Sequence, residues 1–167
     1  CDTNPIRLKK LNPRLRRAGA RHVKIHILTD NDAWLTETKG SADRVLVDVP
    51  CSGTGTWRRE PDARHRLTSS LLASYVEKQR AILHAACHLV KPGGRMIYAT
   101  CSILTSENQD QVDRFLRDHG NFSIIPIGPI CRKTLKKNDL SDKTTLQLTP
   151  RRHSVDGFFV AIFGRTG

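Results

Sequence analysis

The chain has 167 residues, 38% of them hydrophobic and 5% aromatic, with a net charge of +12 and an isoelectric point near 10. That length supports one ordinary domain with a core. No apolar run is long enough to span a bilayer, and residues 1–20 are polar and basic, without the apolar stretch of a secretion signal.

Residues 5–19 read as a helix ending at Gly19, kinked or shortened by Pro13. "HVKIHIL" (22–28) alternates basic and apolar residues, as a half-buried strand does. "RVLVDV" (44–49) is a nearly continuous apolar strand, of the kind buried on both faces of a parallel sheet. Leu71, Leu72, Tyr75, Val76, Gln79, Ile82, Leu83 and Ala86 recur at helical spacing and predict a helix over 69–90, stopped by "KPGG". "RMIYATC" (95–101) is the next strand. Residues 105–119 read as a polar helix capped by Thr105 or Ser106, with Ser106-Glu107-Asn108 most simply part of that cap and contact with the Cys101 loop the lesser alternative. "FSIIPI" (122–127) is a short strand, 128–150 an irregular loop, and "GFFVAIFG" (157–164) a final strand.

Strands alternating with helices predict an α/β fold, doubly wound on a mostly parallel sheet with helices on both faces. Ligands in such sheets sit beyond the carboxyl ends of the strands. Asp48, Cys51 and Cys101 all fall at such ends, and Asp30 follows a predicted strand.

The five cysteines (Cys1, Cys51, Cys87, Cys101 and Cys131) form no C-x-x-C pair and are odd in number. That argues against a disulfide framework or zinc ribbon and fits a reducing cytoplasm. The seven histidines form no H-E-x-x-H motif, so no metal site is expected. A lone cysteine is usually a small buried hydrophobe. Cys87, inside a helix, and Cys131, in a loop, are read that way. Cys51 follows proline, precedes "SGTG" and leaves a strand, and Cys101 sits at a similar exit between Thr100 and Ser102. Two thiols and an acid on one rim exceed what a core needs.

A thiolate is the most nucleophilic ordinary side chain near neutral pH. Its addition to carbon 6 of cytosine is one way to make carbon 5 nucleophilic toward an electrophilic methyl group. A nearby acid can hold the ring nitrogen or amino group meanwhile. The basic residues fall in three clusters: residues 7–24, Arg58 to Arg66, and Arg132, Lys133, Lys136 and Lys137. Three clusters in one small domain point to a polyanion, most simply nucleic acid.

"DVPCSGTGTWRREPD", "KPGGRMIYATCSILTSEN" and "LTPRRHSVDGFFVAIF", in this order and spacing, resemble the Sun/RsmB-like family of RNA cytosine-5 methyltransferases. The resemblance runs from Asp2 to about Arg165. It implies a Rossmann-like catalytic domain that uses S-adenosylmethionine on RNA, with ribosomal RNA the expected substrate in the cytoplasm. It assigns Cys101 as the nucleophile and Cys51 as the second cysteine that assists release of methylated RNA. Asp48 matches the acid between cofactor and base, Asp2 the ribose-binding acid, and Asp30 the acid near the adenine, with Asp32 its rival. The family's Gly-rich loop after the first strand has no counterpart here. Residues 1–167 are therefore expected to be a methyltransferase catalytic domain truncated at its N-terminus, binding cofactor poorly alone. The competing expectations are a catalytically inactive RNA-binding or assembly module of the same fold, and a transfer-RNA cytosine-5 methyltransferase. A DNA cytosine methyltransferase leaves the T-C-S cysteine unexplained, and a thiol oxidoreductase lacks its C-x-x-C.

Overall fold

The computed structural model describes residues 1–30, 32–135 and 144–167. The chain falls into two compact units, residues 1–37 and 38–167.

In the first unit the predicted 5–19 helix is two short ones, α1 (Pro5–Lys9) and α2 (Leu11–Arg17). Asn4 caps α1, its side chain accepting from the Ile6 and Arg7 N–H groups. Pro13 sits in the first turn of α2, where its missing N–H costs nothing, so the helix restarts ahead of it. The predicted strand 22–28 is reduced to a parallel bridge between Ile27 and Asp2. A short α3 (Ala33–Glu37) follows.

The second unit holds a five-stranded sheet: β1 (Ala42–Asp48), β2 (Val90–Thr100), β3 (Phe122–Ile124), β4 (Leu146–Leu148) and β5 (Phe158–Arg165). The order is β1-β2-β5-β3, with β4 also on β5. β1 and β2 are parallel, and β5 is antiparallel to β2, β3 and β4. Four strands therefore point one way and β5 alone runs against them. The expected mostly parallel sheet is present in strand direction, while most of its hydrogen-bonded pairs are antiparallel.

The helices are α4 (Ala63–Arg66), α5 (Ser69–Cys87), α6 (Gln109–Asp118), α7 (Gly128–Leu135) and α8 (Pro150–His153). Alternation along β2 and β5 serves two cores. Met96, Tyr98, Phe159, Ala161 and Phe163 pack with Leu83 and Cys87 of α5 and Phe115 of α6. Ile97, Val160 and Ile162 pack with Cys131 of α7 and Leu146 of β4. Helices thus cover both faces, as period-2 strands buried on two sides require. Each large side chain buried this way contributes about 1.5–3 kcal/mol.

Several expectations are corrected. β1 is not buried on both faces: Leu46 is 69% exposed while Val47 is buried. α5 ends at Cys87, and "KPGG" lies inside β2 instead of between elements. Residues Thr105–Glu107 form a 3-10 turn, and α6 starts at Gln109 after Asn108, so neither Thr105 nor Ser106 is its cap. The predicted strand 122–127 stops at Ile124, and the loop 128–150 contains α7 and β4, with its residues 136–143 outside the described part. Cys131 accordingly lies buried in a helix. No described helix is long and apolar enough to cross a membrane.

Candidate active site around two facing thiols

The parallel register of β1 and β2 places Asp48 opposite Ala99. Both chains leave the sheet on the same rim, three residues before Cys51 on one side and two before Cys101 on the other. The two sulfurs come to 3.3 Å, within hydrogen-bonding distance. Both cysteines are half-buried and free.

A hydrogen bond between the two thiols sets the order in which they ionise. The Cys51 S–H, donating to Cys101, draws the Cys101 thiol down from 9.0 to about 7. Burial and the nearby charges of Asp48 and Glu107 oppose that shift. Cys51 moves the other way, because it donates to its neighbour and is desolvated. Cys101 is therefore the more readily ionised of the two.

The loop after Cys51 lies hard against its surroundings. Gly53 adopts φ +66°, a left-handed conformation that favours glycine. The Gly55 N–H donates to the Cys101 carbonyl at 2.9 Å, and the Gly157 N–H to the Gly55 carbonyl at 2.8 Å. A Cβ on Gly55 would lie 2.5 Å from the Gly157 carbonyl oxygen and 2.7 Å from that of Cys101. Asp156 reaches back to Arg58 and Arg59 as an ion pair. The "SGTG" and "DGFF" stretches therefore meet beside Cys101.

The polar residues flanking the thiols are buried and paired. Thr54 accepts from the Ile103 N–H at 3.0 Å and meets the Ser102 hydroxyl at 3.0 Å. Glu107, fully buried, accepts from the Ser52 N–H at 2.8 Å and from Gln79 Nε2 at 3.0 Å. Asn108 accepts from the Thr100 hydroxyl at 2.7 Å and donates to the Ser102 carbonyl at 2.9 Å. Sequence reasoning took Glu107 and Asn108 for a helix cap. The available signal was their place soon after T-C-S, in "TCSILTSEN". Trp57 has its indole N–H buried with no partner among the described residues.

A cleft of about 300 Å³ opens beside the sulfurs, lined among others by Cys51, Cys101, Thr56, Arg66, Leu71 and Tyr75. A larger groove of about 400 Å³ between α5 and α6 holds neither thiol. Asp48 stands exposed at the end of β1.

Asp2 and Asp30 belong to the first unit. Asp2 Oδ1 accepts from the Asn4 N–H at 2.8 Å, and its side chain is 31% exposed. Asp30 is exposed, three residues after bridged Ile27. Asp32 is engaged by the protein itself: it accepts from the Thr29 and Trp34 N–H groups at 3.0 Å each and meets His26 Nε2 at 3.0 Å. Those bonds, Thr29's first, hold its carboxyl down to about 2. Of the two rivals in "LTDND", Asp30 is the one with its side chain in solvent. Lys136 and Lys137 of the third basic cluster lie outside the described residues. Among the described residues no group of histidine, cysteine and carboxylate side chains is placed to hold a metal.

A family model described as 16S rRNA methyltransferase RsmB/F matches residues 1–164. Probable ribosomal RNA small subunit methyltransferase B of Synechocystis is 36% identical over 162 residues, 96% of this chain and 35% of that protein. Ribosomal RNA small subunit methyltransferase F of Aliivibrio fischeri is 34% identical over 161 residues, 93% of this chain and 32% of that protein. The crystal structure of PH0851 matches with a TM-score of 0.83 at 33% identity, over 97% of this chain and 35% of that one. NSun6 from Pyrococcus horikoshii, solved with SFG, shares the fold with a TM-score of 0.76 at 24% identity, over 99% of this chain and 40% of that one. The chain thus spans about a third of the length of these curated relatives.

Proposed function

The chain belongs to the RsmB/F family of 16S rRNA methyltransferases, and from that premise we propose that it carries the thiol chemistry of an RNA (cytosine-5) methyltransferase acting on ribosomal RNA. The facing thiols are the observation that carries the proposal: one sulfur holds a proton toward the other at 3.3 Å.

Cys101, the readily ionised member, adds its sulfur to carbon 6 of cytosine, and the ring electrons pass to carbon 5. The Asp48 carboxyl, at the end of β1 beside the pair, holds the ring nitrogen or amino group and fixes the base over the sulfur. Once carbon 5 carries the methyl group that bound cofactor would supply, loss of the carbon-5 proton to solvent returns its electron pair to the ring, re-forms the 5,6 double bond and expels the Cys101 thiolate. The Cys51 S–H donates to that thiolate, which makes Cys101 a better leaving group and assists release of the RNA. Exposed arginines beside the cleft, Arg58, Arg59 and Arg66 among them, hold phosphates without reading sequence.

The acids fit S-adenosylmethionine by their chemistry. Asp2 is oriented by its bond from Asn4 and still accessible, and a carboxylate accepts from ribose hydroxyls. Asp30 and Asp48 offer exposed carboxylates for the cofactor's adenine end and for the junction with the base. The bound cofactor supplies an electrophilic methyl group.

The experiment uses the full-length protein containing this chain in three forms: unmodified, Cys51→Ala and Cys101→Ala. Each meets ribosomal RNA and S-adenosylmethionine, and a denaturing gel reads covalent protein–RNA complexes. Cys51→Ala is expected to accumulate an adduct and Cys101→Ala to form none. An adduct in Cys101→Ala reverses the thiol assignment. No adduct and no methyl transfer in any form, with RNA binding shown, sinks the proposal in favour of an inactive RNA-binding module.

A further inference from the structure

Among the described residues Glu107 is the only fully buried acid. Burying a carboxylate costs several kcal/mol unless donors surround it, and an apolar side chain of similar volume packs at lower cost. Its partners show what the carboxylate does here. It closes on Ser52 twice, Oε1 accepting from the Ser52 N–H and Oε2 from the Ser52 hydroxyl. Gln79 of α5 donates to the same Oε1 and, at 3.0 Å, to the Pro50 carbonyl. Both chain neighbours of Cys51 are therefore held, Pro50 by Gln79 and Ser52 by Glu107.

The next residue repeats the arrangement on the other thiol. Asn108 accepts from the Thr100 hydroxyl and donates to the Ser102 carbonyl, so both neighbours of Cys101 are held as well. The Thr100 hydroxyl also accepts from the Ser102 N–H at 3.1 Å. The dipeptide is anchored in turn: the buried Tyr98 hydroxyl donates to the Glu107 carbonyl at 2.6 Å, and Asn108 Nδ2 donates to Gln147 at 2.8 Å.

We propose that Glu107 and Asn108 are positioning residues for the thiol pair, Glu107 bracketing Cys51 together with Gln79 and Asn108 bracketing Cys101, so that two adjacent residues set the sulfur–sulfur distance. Neither touches the substrate in this arrangement. Each acts through the residues beside a cysteine, Glu107 through Ser52 and Gln79 and Asn108 through Thr100 and Ser102. The proposal rests on the pair being the chemical centre, but its test needs neither RNA nor cofactor, so it and the trapping experiment fail separately.

The test follows alkylation of Cys101 by iodoacetamide across pH in the full-length protein, with peptide mass spectrometry assigning the site. The unmodified protein is expected to show a midpoint near 7. Glu107→Ala and Asn108→Ala each let one sulfur drift, and the Cys101 midpoint rises by about one pH unit or more as the hydrogen bond from Cys51 is lost. Glu107→Gln keeps an acceptor for the Ser52 N–H and removes a negative charge that opposes the thiolate. Its midpoint stays at or below that of the unmodified protein, which a purely structural loss does not produce. Circular dichroism checks folding, and if one Ala variant does not fold the other carries the test. An unchanged midpoint in a folded Ala variant overturns the proposal, as does a Gln variant that rises as far as Glu107→Ala.

Discussion

Asp48 and Ala99 are register partners across the parallel β1–β2 pair, and that pairing is why thiols 50 positions apart in sequence meet at 3.3 Å. Parallel neighbours end on the same rim, so short exits of similar length carry their side chains to one place. A slip of one residue in that register would turn one sulfur to the other side of the sheet. The chemistry thus depends on the sheet as much as on the two motifs.

The hydrogen bond between the thiols gives a pH dependence with a definite sign. A thiol is reactive only when deprotonated, and Cys101 loses its proton at about 7 while Cys51 is shifted upward. Adduct formation in single turnover is expected to rise through pH 7 and to fall about tenfold per pH unit well below it. Cys51→Ala removes the donor that stabilises the thiolate, so the rising limb moves toward the ordinary thiol value of 9.0. A limb that stays in place in Cys51→Ala contradicts that role of the hydrogen bond.

Gly55→Ala tests the contact beside Cys101. The new methyl would meet two carbonyl oxygens and the Gly157 Cα at 2.5 to 2.7 Å, all of them backbone that cannot rotate away. Overpacking of this kind costs about 1–3 kcal/mol. Urea denaturation is expected to show that loss, and adduct formation to fall more than the folded fraction does, since the Cys101 carbonyl is one of the atoms displaced. Gly120→Ala, where a Cβ would meet nothing within 4 Å, is the control and is expected to be near neutral.

Much of this site was legible before folding. Cys51, Cys101 and Asp48 stand out because thiols and acids at strand exits have no packing reason to be there. Glu107 and Asn108 did not stand out, because a polar pair ahead of a helix looks like a cap. Only the approach of Pro50–Ser52 and Thr100–Ser102 to them, a tertiary event, reveals that they are buried. β1 misled for a similar reason. Its run of valine and leucine reads as two buried faces, yet Leu46 faces solvent in the described residues. "KPGG" reads as a stop because proline and glycine usually interrupt. Here Gly94 sits where a Cβ would crowd the Lys91 and Ala42 carbonyls, so β2 starts by pressing against β1.

Asp156 neutralises two guanidiniums whose side chains are otherwise mostly exposed, Arg58 at 77% and Arg59 at 70%. Exposed pairs of this kind add about 0–1 kcal/mol, so Asp156→Asn is expected to leave the melting temperature nearly unchanged. It frees both arginines for phosphate. Affinity for ribosomal RNA is expected to rise at low salt, and the slope of log affinity against log salt to steepen by about one to two. Fluorescence anisotropy over a salt series measures both. A slope equal to that of the unmodified protein removes Arg58 and Arg59 from the RNA-binding surface.

Asp32 gives the first unit an acid-sensitive joint. Its carboxyl titrates at about 2 in the folded chain against an ordinary 3.8, chiefly through the Thr29 N–H and the His26 ring. A lowered folded value means that the ionised form is favoured by folding. Its contribution is fully present above pH 3.8 and is lost as pH falls through about 2. The carboxylate also holds the Trp34 N–H at the start of α3, and the Trp34 ring stacks on His26 with centroids 4.7 Å apart. Trp34 fluorescence therefore reports the joint directly, once Trp57→Phe has removed the other indole. In that background the signal is expected to hold to about pH 3 and to change as pH approaches 2. Adding Asp32→Asn removes the ionisable group, so the altered signal is present already at neutral pH and that acid transition disappears. A transition of the same size at the same pH in both proteins assigns it to another carboxylate and removes Asp32 from the joint.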